Sequence, residues 1–250
     1  MARSGIVVAL AAIGAAVLWW TWTPAETSTA NGSVLAARHD VRSTPVPAGN
    51  SIVADARVKL VRVYARPRGH VREVLRNPTR YGPLVFLVKW SGKRWTATRW
   101  VHVYLPQRPN GATGWVRARD VTLLRDAYRV TVDLSSHRLV VERNAQPIVR
   151  VRIGVGSAVT PTPTGTYYLV ELLKQPDPAG AYGPYAFGTS AYSPVLTSFG
   201  GGPGQIGIHG TDEPSAIGTD VSHGCIPLAN RDIVRLAHTL PLGTPVRIVR

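Results

Sequence analysis

Apolar and polar positions alternate in short runs along most of the chain. Val58–Tyr64 (VKLVRVY), Leu84–Trp90 (LVFLVKW) and Trp100–Leu105 (WVHVYL) are rich in β-branched and aromatic residues, which predicts three strands. Turn clusters at Arg66-Pro67-Arg68-Gly69, Ser91-Gly92-Lys93 and Pro109-Asn110-Gly111 punctuate them. Short strands at this spacing predict a small β-barrel, with Trp100 and Trp115 in its core. From Tyr128 the pattern sharpens. Tyr128–Leu134, His137–Arg143 and Pro147–Gly156 read as successive antiparallel strands, joined by turns at Ser135-Ser136 and Asn144-Ala145-Gln146. Pro161 and Pro163 break the chain before a strand at Gly165–Glu171. Lys174–Ser193, rich in Pro, Gly, Ala and Tyr, reads as a long loop or flap. The glycine-rich turn Gly200–Gly204 leads into a short strand, Ile206–Ile208, that ends at His209. Helical period follows Asn230, a candidate cap, to about Leu240, with Ile233, Val234, Leu236, Ala237 and Leu240 on or near one face. Thr244–Val249 is a final strand. The expectation is a mainly β protein with one helix.

The N-terminal pattern is different. Arg3 precedes an uncharged run from Ile6 to Trp22, the layout of an export signal. The run is short for a membrane span, yet Trp19, Trp20 and Trp22 cluster at its far end as interfacial tryptophans do. Ser28-Thr29-Ala30 offers small residues for cleavage. Signal peptide and retained anchor (residues 1–23) both stay open. Residues 24–50 read as a flexible linker. Either way, the expected location is the extracytoplasmic cell envelope, membrane-anchored or secreted.

The chain has 250 residues, so one or two domains, and a net charge of +15. That charge is local. Residues 57–129 hold 17 Lys and Arg against Glu73, Asp120 and Asp126, a surplus of 14, whereas residues 130–250 are nearly neutral. A polyanionic partner therefore concerns residues 57–129: an anionic wall polymer, a lipid surface, or nothing beyond solvent. Nucleic acid is excluded by the expected compartment and by the lack of zinc-finger, P-loop or helix-turn-helix patterns. Gly154-Val155-Gly156 and Gly200–Gly204 are turns and not cofactor loops, so no cofactor is expected.

One residue carries the chemistry. Cys225, the single cysteine, lies in Ser222-His223-Gly224-Cys225, and His209-Gly210-Thr211 stands 16 residues upstream at a strand end. Imidazole beside a thiol gives a nucleophile, and Gly224 lets backbone N–H groups turn toward an oxyanion. These are parts for acyl transfer. Two blander readings compete: an inert buried cysteine, and zinc held by His209, His223, Cys225 and Asp212 or Asp220, which lacks a CxxC or HExxH framework. No metal is expected.

His209-Gly210-Thr211 with Ser222-His223-Gly224-Cys225-Ile226 resembles the signature of the L,D-transpeptidase catalytic domain family (YkuD-like). Thr160–Gly165 (TPTPTG) resembles that family's Thr-Pro-x-Gly loop, and Tyr128–Arg143 its entry hairpin. The stretch Trp100–Val121 resembles the end of a bacterial SH3-like domain. The resemblances imply an SH3-like small β-barrel (51–126) followed by a β-sandwich catalytic domain with one helix (127–250). They imply peptidoglycan stem peptides as substrate and inhibition by β-lactams such as carbapenems. Carried over by position, Cys225 is the nucleophile, His209 its base, and Gly210 the residue that orients His209. Backbone N–H groups of His223, Gly224 and Cys225 form the oxyanion hole, with Ser222 shaping the site. Tyr182 and Tyr192 are candidate walls for the stem peptide. The reaction implied is cleavage of the bond between an L-centre and D-Ala in a tetrapeptide, then a 3→3 cross-link. Two alternatives are a wall-binding protein with an inactive domain and an L,D-carboxypeptidase. Pro227 stands where many members have Arg, which unsettles substrate preference.

Overall fold

A computed structural model describes residues 46–90 and 99–250. The leader, nearly all of the linker, and the Ser91-Gly92-Lys93 turn lie outside the described residues. Among the described residues no helix is long and apolar enough to cross a membrane.

The molecule is mainly β. Among the described residues seven strands precede residue 127: β1 Ser51–Ala56, β2 Leu60–Tyr64, β3 Val71–Arg76, β4 Val85–Leu87, β5 Trp100–Tyr104, β6 Thr113–Arg117 and β7 Val121–Asp126. They form a three-stranded sheet, β4-β1-β7, and a four-stranded sheet, β3-β2-β6-β5. Between them lies a core of Ile52, Ala54, Val61, Val63, Phe86, Val101, Val103, Val116 and Leu123. The SH3-like assignment stays a resemblance of sequence. Trp100 and Trp115, expected inside, are half-buried. Val101, Val103 and Val116 take the inward parity of β5 and β6, so the tryptophans fall on the other face. There His102 stacks on Trp115 at 4.5 Å, and Arg117 lies 5.8 Å from the Trp100 ring centroid.

The second half adds β8 Tyr128–Asp133, β9 Arg138–Arg143, β10 Gln146–Arg152, β11 Val155–Gly156, β12 Gly165–Lys174, β13 Tyr185–Tyr192, β14 Gln205–His209, β15 Asp220–Ser222, β16 Ile226–Pro227 and β17 Pro245–Val249. Eight of them form one sheet in the order β10-β9-β8-β17-β12-β13-β14-β16. The two hairpins that open it are where the sequence puts them. Val130 faces Val141 and Val132 faces Leu139, so the apolar parity of both strands lands on one buried side. Asn144 and Ala145 both take positive φ (51° and 63°), the geometry of a tight two-residue turn. Each buried Val or Leu on that side contributes about 1.5–3 kcal/mol. The helix α1, Asn230–Thr239, lays Ile233, Leu236 and Ala237 across β13 and β14.

Two expectations fail here. Lys174–Ser193 is not all flap, because residues 185–192 are β13, an inner strand of the large sheet. Its small residues, AFGTSA, hide it from a hydrophobicity pattern. They suit a strand closed on both sides, and its hydroxyls are satisfied internally: Thr189 Oγ1 donates to the Ile206 carbonyl at 2.7 Å, and Ser190 Oγ accepts the Tyr168 N–H at 3.1 Å. Asn230 does not cap the helix. It is the first helical residue, and its Oδ1 instead accepts the Thr211 N–H at 2.8 Å, tying α1 to the strand end that holds His209.

Candidate active site

Strand β14 organises the site. Ile206 and Ile208 point into the core, which leaves Gln205, Gly207 and His209 on the opposite parity. His209 is 8% exposed. Its Nδ1 lies 2.5 Å from the Gly210 carbonyl oxygen, which can only accept, so Nδ1 carries the proton and Nε2 holds the lone pair. Burial lowers the His209 pKa, and the bond to Gly210 opposes that in part. The resting ring is therefore neutral, with a free base on Nε2.

Cys225 is held from below. Its Sγ accepts the Gly207 N–H at 3.3 Å and stands 4.0 Å from the Gln205 carbonyl. Burial raises the thiol pKa, with the Gly207 N–H working the other way. A Cβ built on Gly207 would lie 3.6 Å from His209 Cδ2 and 3.8 Å from Cys225 Sγ. Thiol and imidazole thus converge above a glycine, over a floor that carries no side chain.

The turn before Cys225 is pinned at three carbonyls. Ser222 Oγ donates to the Cys225 carbonyl at 2.6 Å. Thr160 Oγ1 donates to the Ser222 carbonyl at 3.1 Å, and Thr162 Oγ1 to the Gly224 carbonyl at 2.9 Å. Gly156 N–H in turn donates to Thr162 Oγ1 at 2.8 Å. So the TPTPTG loop is a cradle for the cysteine turn. Gly224 takes φ +112°, and a Cβ there would press on Ile206 Cδ1 at 3.0 Å. The Gly224 N–H donates to Ser222 Oγ at 3.1 Å, inside the turn. Without substrate, the Gly224 N–H is thus satisfied within its own turn.

The remaining candidates divide. Tyr182 stands edge-on to the His209 ring at 4.8 Å and joins the site. His223 is exposed and stacks on Phe199 at 4.9 Å. Tyr192 lies elsewhere. Its Oη donates to the Pro106 carbonyl at 2.9 Å, and its backbone N–H and C=O pair with the Asn110 side chain. Arg108 covers its ring at 5.1 Å and donates to the carbonyls of Ser193 (2.7 Å), Leu196 (2.8 Å) and Pro203 (3.1 Å). Tyr192 is therefore anchored at the junction with the N-terminal sheets. Pro227 is buried in β16, paired with His209 on β14. Among the described residues no three His, Cys, Asp or Glu are grouped to hold a metal ion.

Sequence reasoning missed Gly207, Gln205, Thr162 and Phe199 as site residues. Thr162 lay within the TPTPTG loop already singled out, and Gly207 left a signal as the small residue between two isoleucines.

Residues 127–248 match the family model of the L,D-transpeptidase catalytic domain, YkuD. Over these residues, just under half of the chain, the sequence is similar to that family. YkuD of Bacillus subtilis (strain 168) is 34% identical over 123 residues, which is 49% of this chain and 66% of that protein. YkuD of Bacillus licheniformis is 36% identical over 121 residues, 48% of this chain and 65% of that protein. The chain thus spans just under two thirds of the length of these relatives. Among solved structures, that of LdtMt1 in complex with imipenem is 16% identical with a TM-score of 0.40, covering 60% of this chain and 90% of that one. Both His209 and Cys225 fall within the matched residues, and the basic N-terminal sheets fall outside them.

Proposed function

We propose that the protein is an envelope L,D-transpeptidase that joins peptidoglycan stem peptides through a Cys225 thioester. The observation that carries this reading is the meeting of Cys225 Sγ and a neutral His209, oriented by the Gly210 carbonyl, over side-chain-free Gly207. His209 Nε2 takes the thiol proton, and the sulfur attacks the carbonyl of the L-centre in a tetrapeptide. Backbone N–H groups of His223, Gly224 and Cys225 are the proposed oxyanion donors, with the Gly224 N–H resting on Ser222 Oγ before substrate binds. The intermediate collapses with the proton passing from His209 to the leaving D-Ala nitrogen. An amine on a second stem then attacks the thioester, gives its proton to His209, and leaves a 3→3 amide as the thiol is restored. Because both groups start neutral, the reaction costs no separation of charge before substrate arrives. Tyr182, against His209, forms one wall of the cleft. The surplus of 14 positive charges in residues 57–129 suits an anionic envelope around the substrate.

The same thiol should open a β-lactam ring. Incubation with a carbapenem should add the drug's mass at Cys225, and Cys225→Ala should take none. Wild-type protein without an adduct would refute the reading. With tetrapeptide muropeptides, dimers indicate transfer and tripeptides indicate hydrolysis.

A further inference from the structure

A second acidic feature shares the face that carries the thiol. Glu171 lies on β12 directly opposite Gly188 on β13, and Gly188 lies directly opposite Gly207 on β14. Residues paired in this way project to the same side of a sheet. A Cβ on Gly188 would overlap Glu171 Oε1, so the carboxylate lies over the glycine and reaches across the sheet toward β14. A Cβ on Gly207 would touch Cys225 Sγ and His209 Cδ2. The Glu171 side chain fills the space over Gly188, and Gly207 leaves the next position bare, so a short trough runs from the carboxylate to the thiol. Facing Cβ positions are about 5 Å apart, so carboxylate and sulfur are separated by no more than about 12 Å.

Glu171 is 8% exposed. Burial raises its pKa to about 7, while a hydrogen bond from the Gln205 side chain on β14 lowers it. Around it stand Tyr192 from β13 and Tyr81 from the loop after β3, with Arg108 behind the first and Arg80 behind the second. No role in the thiol chemistry falls to this buried acid.

We propose that Glu171 is the subsite for the side-chain ammonium of the residue whose carbonyl Cys225 attacks. This deepens the transpeptidase reading and rests on it. A 3→3 cross-link needs a side-chain amine on the third residue of the acceptor stem. Donor and acceptor come from one repeating polymer, so the donor carries the same amine beside its scissile carbonyl. In a lysine-like diamino acid that nitrogen is six bonds from the carbonyl carbon, roughly 7 Å when extended. Adding an ammonium–carboxylate contact of about 2.8 Å and a sulfur–carbonyl approach of about 3 Å fills the trough. Glu171 would then favour donors whose amine is free over donors whose amine is already acylated by an earlier cross-link.

The test measures D-Ala release, without any acceptor, from two tetrapeptide donors: one with the free side-chain amine and one with that amine N-acetylated. Wild type should prefer the free amine by about tenfold or more in kcat/KM. That preference should grow as the pH rises through 7, because the carboxylate ionises while the ammonium stays charged. In Glu171→Gln the ratio should fall toward one and lose its pH dependence. A ratio of two kcat/KM values does not depend on how much of the variant is folded, and the wild-type pH profile needs no variant. Equal release from both donors by wild type overturns the Glu171 subsite and leaves the transpeptidase reading standing. A preference that survives in Glu171→Gln overturns it as well. Release from neither donor, with no carbapenem adduct, overturns both.

Discussion

Replacing Gly207 by alanine should spare the fold and stop acylation. Gly207 is not among the positive-φ residues, so alanine fits its backbone. The new methyl would meet the Phe187 carbonyl oxygen at 3.4 Å, His209 Cδ2 at 3.6 Å and Cys225 Sγ at 3.8 Å, all ordinary contact distances. Gly→Ala at a compatible strand position stabilises by about 0.4–1 kcal/mol through the unfolded chain. The melting temperature should therefore hold or rise slightly. The alanine N–H can still donate to Cys225 Sγ, so the substitution removes only the space. That space is where an attacked carbonyl must come within about 3–3.5 Å of sulfur. A displacement of about 1 Å costs on the order of 100-fold, or about 2.7 kcal/mol. The assay is the second-order rate of carbapenem adduct formation, followed by mass spectrometry beside thermal unfolding. A rate within about threefold of wild type, at an unchanged melting temperature, would refute the geometry argued for the site.

Two further outcomes follow from the same contacts. Arg108→Ala removes donors from the carbonyls of Ser193, Leu196 and Pro203, the segment that presents Phe199 to His223. Charge-assisted bonds contribute about 1.5–3 kcal/mol each when buried and less at this partly exposed site, so amide exchange in residues 193–204 should accelerate by about 10–100-fold. Unchanged exchange there would show that Arg108 does not hold the loop. Glu171 gives a pH signature in stability. Its folded pKa of about 7 exceeds the usual 4.5, so its contribution is complete below pH 4.5 and is lost as pH rises through 7. Compared with Glu171→Gln, wild type should lose at most about 3 kcal/mol between those limits; parallel stability curves would contradict the burial argument.

The legible parts of the sequence were those where one force dominates. In β8 and β9 alternate apolar residues face one core, and the period gives the strands directly. That Cys225 and His209 come together was legible through the motif resemblance, since spacing alone left an inert cysteine and a zinc site open. Strand β13 was not legible. Buried among other elements, it has no polar face to alternate with, and its small residues look like a loop. Strand β1 was missed for a related reason, since Ile52, Val53 and Ala54 are all buried in succession. The anchoring of Tyr192 was not legible, because an aromatic in a Gly-rich stretch reads the same whether it meets substrate or another sheet. Long-range partners such as Asn110 and Pro106, more than 80 residues away, leave no mark near it.

The way β1 and β4 are buried bears on how the basic half should be understood. Ile52, Ala54 and Phe86 enter the N-terminal core, whereas Val53, Val85 and Leu87 enter the core of the large sheet. One three-stranded sheet therefore serves two cores. Thr244 Oγ1 donates to Asp126 at 2.7 Å, and Tyr168 Oη to the Tyr104 carbonyl at 3.1 Å, across the same junction. Cutting the chain near residue 126 would expose Val53, Val85 and Leu87, at about 1.5–3 kcal/mol each, and remove the Tyr104 partner of Tyr168. A wall-binding assay on the excised segment would then test a damaged object. The charge of residues 57–129 is better probed in the whole chain, where Arg108 already links it to the loop beside the thiol. On that geometry Arg108 ties the basic half to the segment whose Phe199 stacks on His223, two residues from Cys225.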